Sequence, residues 1–383
     1  MAGRKVMIVL FGDISFDGRA KRMAEIARSL GEVLLVSTSA SSTEDLADPA
    51  FVHYRVAIKE SWGKLRRHLA LWQAVLVQAW RWRPHIVFAQ NFFATLPGLA
   101  AARIAGAKLV YDAYELIIPE PARVMSPRDR FWYLLERLAA PRADLVVAAN
   151  AERAERMLRH YRLRTPPTHM RNIPPMPHID DEALGKALHS FPTMARRTAT
   201  ETILIYQGDI ALSRGIARFV AALDHLPDSY RMVVAGTGPD AGRLAQLAAR
   251  HTATGRFATL GRVPNDMLAA LTSLADIGIV TYPYAGLNNV YCAPNKLFEY
   301  AQAGLPIVSS DQPTLQKLLG EHPFGTLLSR DLDGEGIAAA IQLVARNSVE
   351  LKRWHAPFLA ANTAETERTR LMHALAPHLS QND

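Results

Sequence analysis

At 383 residues the chain exceeds one ordinary hydrophobic core, and at about 150 residues per domain it reads as two. Hydrophobic residues make up 49% and charged residues 21% with no low-complexity tract, which excludes disorder and fibrous architectures; the single Cys292 excludes a disulfide framework or a cysteine zinc cage. Residues 1 to 180 hold 26 Lys and Arg against 17 Asp and Glu, while residues 181 to 383 hold 18 against 19, so the first half points to an anionic partner: lipid, a phosphate-bearing substrate or nucleic acid.

In chain order, runs of aliphatic and β-branched residues recur at Val6–Phe11, Val33–Val36, Ile86–Ala89, Lys108–Tyr111 and Asp144–Ala148, with helical spacing between them. That alternation predicts βαβ units on a parallel sheet. The first run is too short for a leader peptide and reads as a buried strand. A helix over 19–30 follows, with Met23, Ile26, Ala27 and Leu30 on the face that covers the sheet. The loop joining them, Gly12–Gly18, lets a ligand approach the backbone, although it is not a G-x-G-x-x-G fingerprint.

From Trp62 to Trp80, the residues Trp62, Leu65, Leu69, Trp72, Leu76 and Trp80 fall on one narrow helical arc, with Lys64, Arg66 and Arg67 elsewhere round the wheel. Two readings stand: the arc faces the core, or it meets a membrane. Arg123–Arg142 repeats the mix in Arg128, Arg130, Phe131, Trp132 and Tyr133, and we expect these segments to attach the chain peripherally to an anionic membrane. No stretch reaches the roughly 18 uncharged apolar residues of a span, since Gln73 and Gln78 interrupt Leu69–Trp80. The expected location is cytoplasmic, on the inner face of the plasma membrane.

After the Pro-rich stretch Arg171–His178 the pattern restarts, with strands expected at Ile203–Gln207, Arg231–Ala235, Phe257–Leu260, Ile277–Tyr282 and Pro306–Ser309. Two doubly wound halves joined near residue 178 would place a cleft between the carboxyl ends of two sheets. In the second half, Gly208 ends a strand and the following loop delivers Arg214, whose two-donor guanidinium suits a departing diphosphate or, equally, a solvated surface. Gly236-Thr-Gly-Pro239 permits close backbone approach or makes a plain turn. Asn295 reads as the N-cap of a helix over 296–303 that Gly304 stops. Its first amides with Lys296 form an anion site, and Glu299, one turn in, can accept two hydrogen bonds from a ribose diol. The alternative makes Lys296 a solvated charge and Glu299 a dipole partner.

Taken together, these residues resemble the retaining nucleotide-sugar glycosyltransferases of family 4, which have the GT-B fold. The resemblance is carried by Gly208 through Gly215, Ala235–Pro239, Leu260–Val263, Ala275-Asp276, Pro294–Tyr300 and Ala303–Pro306, and in the first half by Asp17–Arg19, Lys108–Glu115 and Ala143–Val147. It implies two Rossmann-like domains facing each other across a cleft: an acceptor domain over 1–178, rejoined by a helix over 359–383, and a donor domain over 179–358. It implies that Glu299 binds the donor ribose, that Arg214 replaces the family's diphosphate-contacting lysine, and that Arg262 and Val263 line the base pocket. The family's first glutamate falls on Tyr291, its loop arginine on Asp209 and its cleft histidine on Tyr114.

The expected donor site therefore comprises Gly12, Gly208, Asp209, Arg214, Gly238, Arg262, Val263, Tyr291, Asn295, Lys296, Leu297 and Glu299; the acceptor side comprises Asp17, Arg19, Asn91 and Glu115. Arg214 and Tyr114 are the expected catalytic contacts. The resemblance implies transfer of a sugar to a glycan or lipid-linked acceptor in surface polysaccharide synthesis, with no cofactor and no metal beyond the nucleotide-sugar co-substrate. The alternatives are a nucleotide-sugar epimerase of the same fold and a basic nucleic-acid-binding protein, for which no zinc finger or RNA-recognition signature is present. A dinucleotide-dependent oxidoreductase is disfavoured because no glycine loop completes its fingerprint.

Overall fold

The computed structural model describes residues 3–14, 17–39, 51–59, 61–120, 124–195, 198 and 200–379. Ser15 and Phe16 of the first glycine loop, Arg123 of the second basic segment and the last four residues of the chain lie outside the described residues. Two compact units result: Met1–Asn172 with Glu365–Asp383, and Ile173–Ala364.

In the first unit the strands are β1 (Arg4–Leu10), β2 (Gly31–Ser39), β3 (Phe51–Ala57), β4 (Ile86–Gln90), β5 (Lys108–Ala113), β6 (Leu145–Ala148) and β7 (Thr168–His169), in the order β3-β2-β1-β4-β5-β6-β7. In the second they are β8 (Thr202–Gln207), β9 (Tyr230–Ala235), β10 (Phe257–Gly261), β11 (Ile277–Val280), β12 (Ile307–Ser310) and β13 (Gly325–Leu328), in the order β10-β9-β8-β11-β12-β13. Every pairing is parallel. Strand order reverses between β1 and β4 and again between β8 and β11. Crevices at such switch points, beyond the carboxyl ends of the strands, are where doubly wound sheets admit ligands.

The apolar runs form buried strands because both sheet faces are covered. Helix α1 (Gly18–Leu30) starts on Asp17, whose Oδ1 accepts from the amides of Arg19 and Ala20 at 3.0 and 2.9 Å. Its Met23, Ile26, Ala27 and Leu30 pack with Ile8, Phe88 and Val110, the face the spacing predicts. The C-terminal helix Ala364–Leu379 adds Leu371 and Leu375 to the same core, and its Glu367 is held by the Arg171 guanidinium at 2.6 and 2.9 Å. The opposite face carries α2 (Lys64–Trp82) and α3 (Phe92–Ala105), with α4 (Pro127–Ala139) against α3.

Four details differ from the sequence reading. Strands β3, β7 and β13 lie outside the strands the sequence predicts: each is at a sheet edge, only partly buried, and without a continuous apolar run, as Val52 and Tyr54 of β3 face solvent. In α2 the core-facing stripe is His68, Leu71, Val75 and Ala79, whereas in the predicted arc Leu65 is 69%, Leu69 54% and Trp80 62% exposed and Trp62, Trp72 and Leu76 are half-buried. The helix expected over 296–303 begins at Asn295, with Pro294 at the N-cap position and no side-chain cap on its first amides. Finally, the expected helix from Leu359 is two helices, His355–Ala361 and Ala364–Leu379, because Asn362 turns its side-chain amide onto Phe358 O (2.8 Å).

Candidate active site

Around the β1/β4 switch of the first unit, Gly12 leaves β1 with φ +154 and open space around its Cα, and Asn91 follows β4. Asn91 adopts φ +64, a conformation tolerated by asparagine, and caps α3 by accepting from Phe92 N at 2.7 Å. Its Nδ2 donates to the exposed Glu115 at 3.4 Å. Tyr114 donates its hydroxyl to Asp17 Oδ2 (3.1 Å), and burial, then the neighbouring Asp17 and Asp112 charges, push its pKa well up. Asp17, Tyr114, Asn91 and Glu115 thus gather two by two at the strand ends.

Arg19 is turned inward instead of toward a ligand. Its Nε lies 2.9 and 3.0 Å from the two oxygens of Asp112, and further donors reach Asp112 Oδ1 and Met170 O at 2.5 Å. Arg19 is 3% exposed and Asp112 is fully buried, so Arg19 ties α1 to β5 and, through Met170 O, to the chain leaving β7. The expectation that Arg19 lies on the acceptor surface is replaced by a supporting role behind Tyr114, whose ring lies 5.5 Å from the guanidinium.

Around the β8/β11 switch of the second unit, the loop after β8 runs from Gly208 (φ +118) through a single 3-10 turn, Leu212–Arg214, to Gly215. Thr281 Oγ1 donates to Arg214 O at 2.8 Å and anchors that turn to the end of β11. The Arg214 guanidinium reaches Asp209 at 3.5 Å and lies 5.6 Å from the Tyr282 ring. Gly236 and Gly238 do allow close backbone approach, but the neighbour is the β8 loop itself: a Cβ on Gly238 would come within 2.3 Å of Ile210 O, and one on Gly236 within 1.9 Å of Gly208 O. These glycines lock two loops together and shape the floor of the site.

The helix Asn295–Gln302 completes the cluster. Lys296 is buried, and its Nζ, 3.9 Å from the Tyr206 ring centroid and 5.4 Å from that of Tyr282, has no hydrogen-bond partner. Glu299 accepts from Gln207 Nε2, and Gln207 Oε1 accepts from Thr272 Oγ1 at 2.9 Å, a relay that fixes the carboxylate. Leu297 is fully buried in the core and its amide bonds Pro294 O, so it supports the helix instead of facing a ligand. Arg262 is exposed and Val263 half-buried after Gly261, and Tyr291 ends the short helix Leu287–Val290. Tyr206 and Gln207 open the candidate segment that runs to Gly215 but carry no expected role of their own, and Tyr282 and Thr272 are additions that the sequence does not point to.

Residues 19–176 match the glycosyl transferase 4-like domain and residues 201–347 the glycosyl transferases group 1 domain. No curated protein matches the chain by sequence. Among solved structures, sucrose-phosphate synthase from Thermosynechococcus elongatus superposes with a TM-score of 0.74 at 15% identity, over 98% of this chain and 99% of that one. HepE of Anabaena, in complex with UDP and glucose, gives 0.72 at 16% over 98% and 100%. WaaG, a glycosyltransferase involved in lipopolysaccharide biosynthesis, gives 0.67 at 16% over 92% and 94%. At such identities the likeness is one of fold.

Proposed function

The chain belongs to glycosyltransferase family 4, the nucleotide-sugar enzymes with the GT-B fold, and from that premise we propose that it transfers a hexose, with retention, from a nucleoside diphosphate sugar to a glycan or lipid-linked acceptor. The observation that carries this reading is the convergence at the β8/β11 switch of Arg214, Lys296 and a carboxylate, Glu299, held by Gln207. In this reading Arg214 and Lys296 meet the diphosphate and Glu299 receives the ribose hydroxyls. Arg262 and Val263 border the base.

The bond from the anomeric carbon to the diphosphate oxygen breaks, and the acceptor oxygen bonds to the same face of that carbon. The acceptor's proton leaves with the diphosphate. Because charge on the diphosphate grows as the bond breaks, fixed cations at that point lower the barrier, and the reading needs no metal. Tyr114, with Asp17, Asn91 and Glu115, would contact the acceptor. UDP is the first base to test, since HepE was solved with UDP-glucose.

An acceptor at a membrane fits the outer faces of α2 and α4. Leu65, Leu69 and Trp80 on α2, and Phe131, Leu134 and Leu138 on α4, are exposed, and the His68 and Trp132 rings, 4.5 Å apart, bring the two helices together. Lys64, Arg66, Arg128 and Arg130 flank this surface, the composition of an interfacial helix on anionic lipid. No helix among the described residues is long and apolar enough to cross a membrane.

A thermal-shift panel of UDP, GDP, ADP and CMP with their sugars tests the donor assignment, because a ligand of the folded state raises its melting temperature. We expect one nucleoside diphosphate and its sugar to stabilise; no shift with any member overturns the reading. Co-sedimentation with vesicles rich in anionic lipid at low salt tests the surface, and absence of binding there removes the membrane from it.

A further inference from the structure

Lys296 is the second residue of its helix, and its side chain is 6% exposed. An ammonium has three donors and no acceptor capacity, and burying it without acceptors is costly. Here the flanking groups are the ring of Tyr206 from β8, the ring of Tyr282 beyond β11, and the cation of Arg214 from the β8 loop. Asp209 on that loop, Glu299 one turn further along the helix and Cys292 before it are the groups that favour charge. None of them bonds Nζ: Asp209 faces Arg214 and Glu299 takes the Gln207 amide. Gly208 lies over Nζ without a side chain to fill the space, its notional Cβ 3.8 Å away.

Resting on the donor assignment made above, we propose that Lys296 stands as a neutral amine in the empty site and takes up one proton when the donor diphosphate arrives, so that donor binding is proton-coupled. The incoming phosphate supplies the acceptor that the buried Nζ lacks. Burial, and after it the Arg214 charge, draw the Lys296 pKa from its ordinary 10.5 to about 7, in the same direction as the geometry. A cation kept partly discharged beside Arg214 avoids two like charges around one tyrosine ring until an anion separates them.

Isothermal titration with UDP and with GDP at pH 8, in buffers of low and high ionisation enthalpy, reads the proton directly. A phosphate loses its last proton near about pH 6, so the nucleotide contributes none at pH 8. For the wild type we expect the binding enthalpy to follow the buffer, corresponding to nearly one proton taken up. The Kd should weaken by close to tenfold per unit between about pH 7.5 and 9. Lys296→Met should bind more weakly with no uptake and no such slope, and Lys296→Arg, always charged, should bind without uptake. Wild-type binding with a buffer-independent enthalpy overturns this inference and leaves the donor assignment standing; failure of both nucleotides to bind overturns the two together.

Discussion

Arg19 and Lys296 are both basic side chains buried beneath the mouth of a parallel sheet, one in each unit, yet they are satisfied in opposite ways. Arg19 has a carboxylate and a carbonyl in place at 2.5–3.0 Å, whereas Lys296 Nζ has only aromatic faces. A buried charge must be compensated by the protein or by something that binds to it. The first unit closes that requirement internally, which makes Arg19 architectural. The second leaves it open, which marks the place for an anion.

Removing each cation would sharpen the contrast most. Arg19→Met leaves Asp112 without its cation in the core, and breaking a buried pair in this way typically costs about 3–5 kcal/mol. We expect urea denaturation to show a loss of that size. Lys296→Met, which removes a buried amine that no acceptor compensates, should leave the unfolding free energy within about 1 kcal/mol or raise it. Equal losses in the two variants would break the comparison.

A buried acid extends it. Glu136 on α4 is 1% exposed and receives the hydroxyls of Tyr111 and Tyr161, neutral donors in place of a cation. Burial raises its pKa from 4.5 to about 7, against the pull of the two tyrosine bonds. Between those values the unfolded chain has released the proton that the folded chain still holds, so stability falls as pH rises from about 4.5 to 7 and levels off above. The fall attributable to this group is about 3 kcal/mol, at 1.36 kcal/mol per unit. Glu136→Gln cannot titrate, and the wild-type minus variant stability, measured by urea titration at several pH values, should carry that slope. A flat difference would show that Glu136 stays ionised in the fold.

What could be read from the sequence follows how local each determinant is. Strands buried on both faces announce themselves as apolar runs, which is why β1, β8 and β11 were legible and the edge strand β3 was not. Lys296 and Glu299 were found because their meaning depends on one helix start. Their orienting partners were hidden: Gln207 meets Glu299 across 92 residues of chain, and Arg19 meets Asp112 across 93. Such pairings come from strand order, and no local spacing encodes them. Which stripe of α2 faces the sheet was also undecidable from the wheel alone, since adjacent arcs, Leu65–Leu69–Trp80 and Leu71–Val75–Ala79, are both apolar.

Glu299 gives the smallest expected effect and the finest discrimination within the second unit. Unlike Lys296 it is held before any ligand arrives, by the Gln207 amide that Thr272 in turn orients, so its contribution is a preformed acceptor. Glu299→Ala should therefore raise the nucleotide Kd by roughly ten- to a hundredfold, the about 1.5–3 kcal/mol of a hydrogen bond to a charged group, with no change in proton uptake. If Glu299 receives the ribose diol, the 2′-deoxynucleotide should lose much less affinity on the variant than on the wild type, because the bond it lacks is already gone. Calorimetry of the two nucleotides against the two proteins closes a double-mutant cycle. A coupling near zero would place the ribose elsewhere and leave Glu299 a structural partner of Gln207.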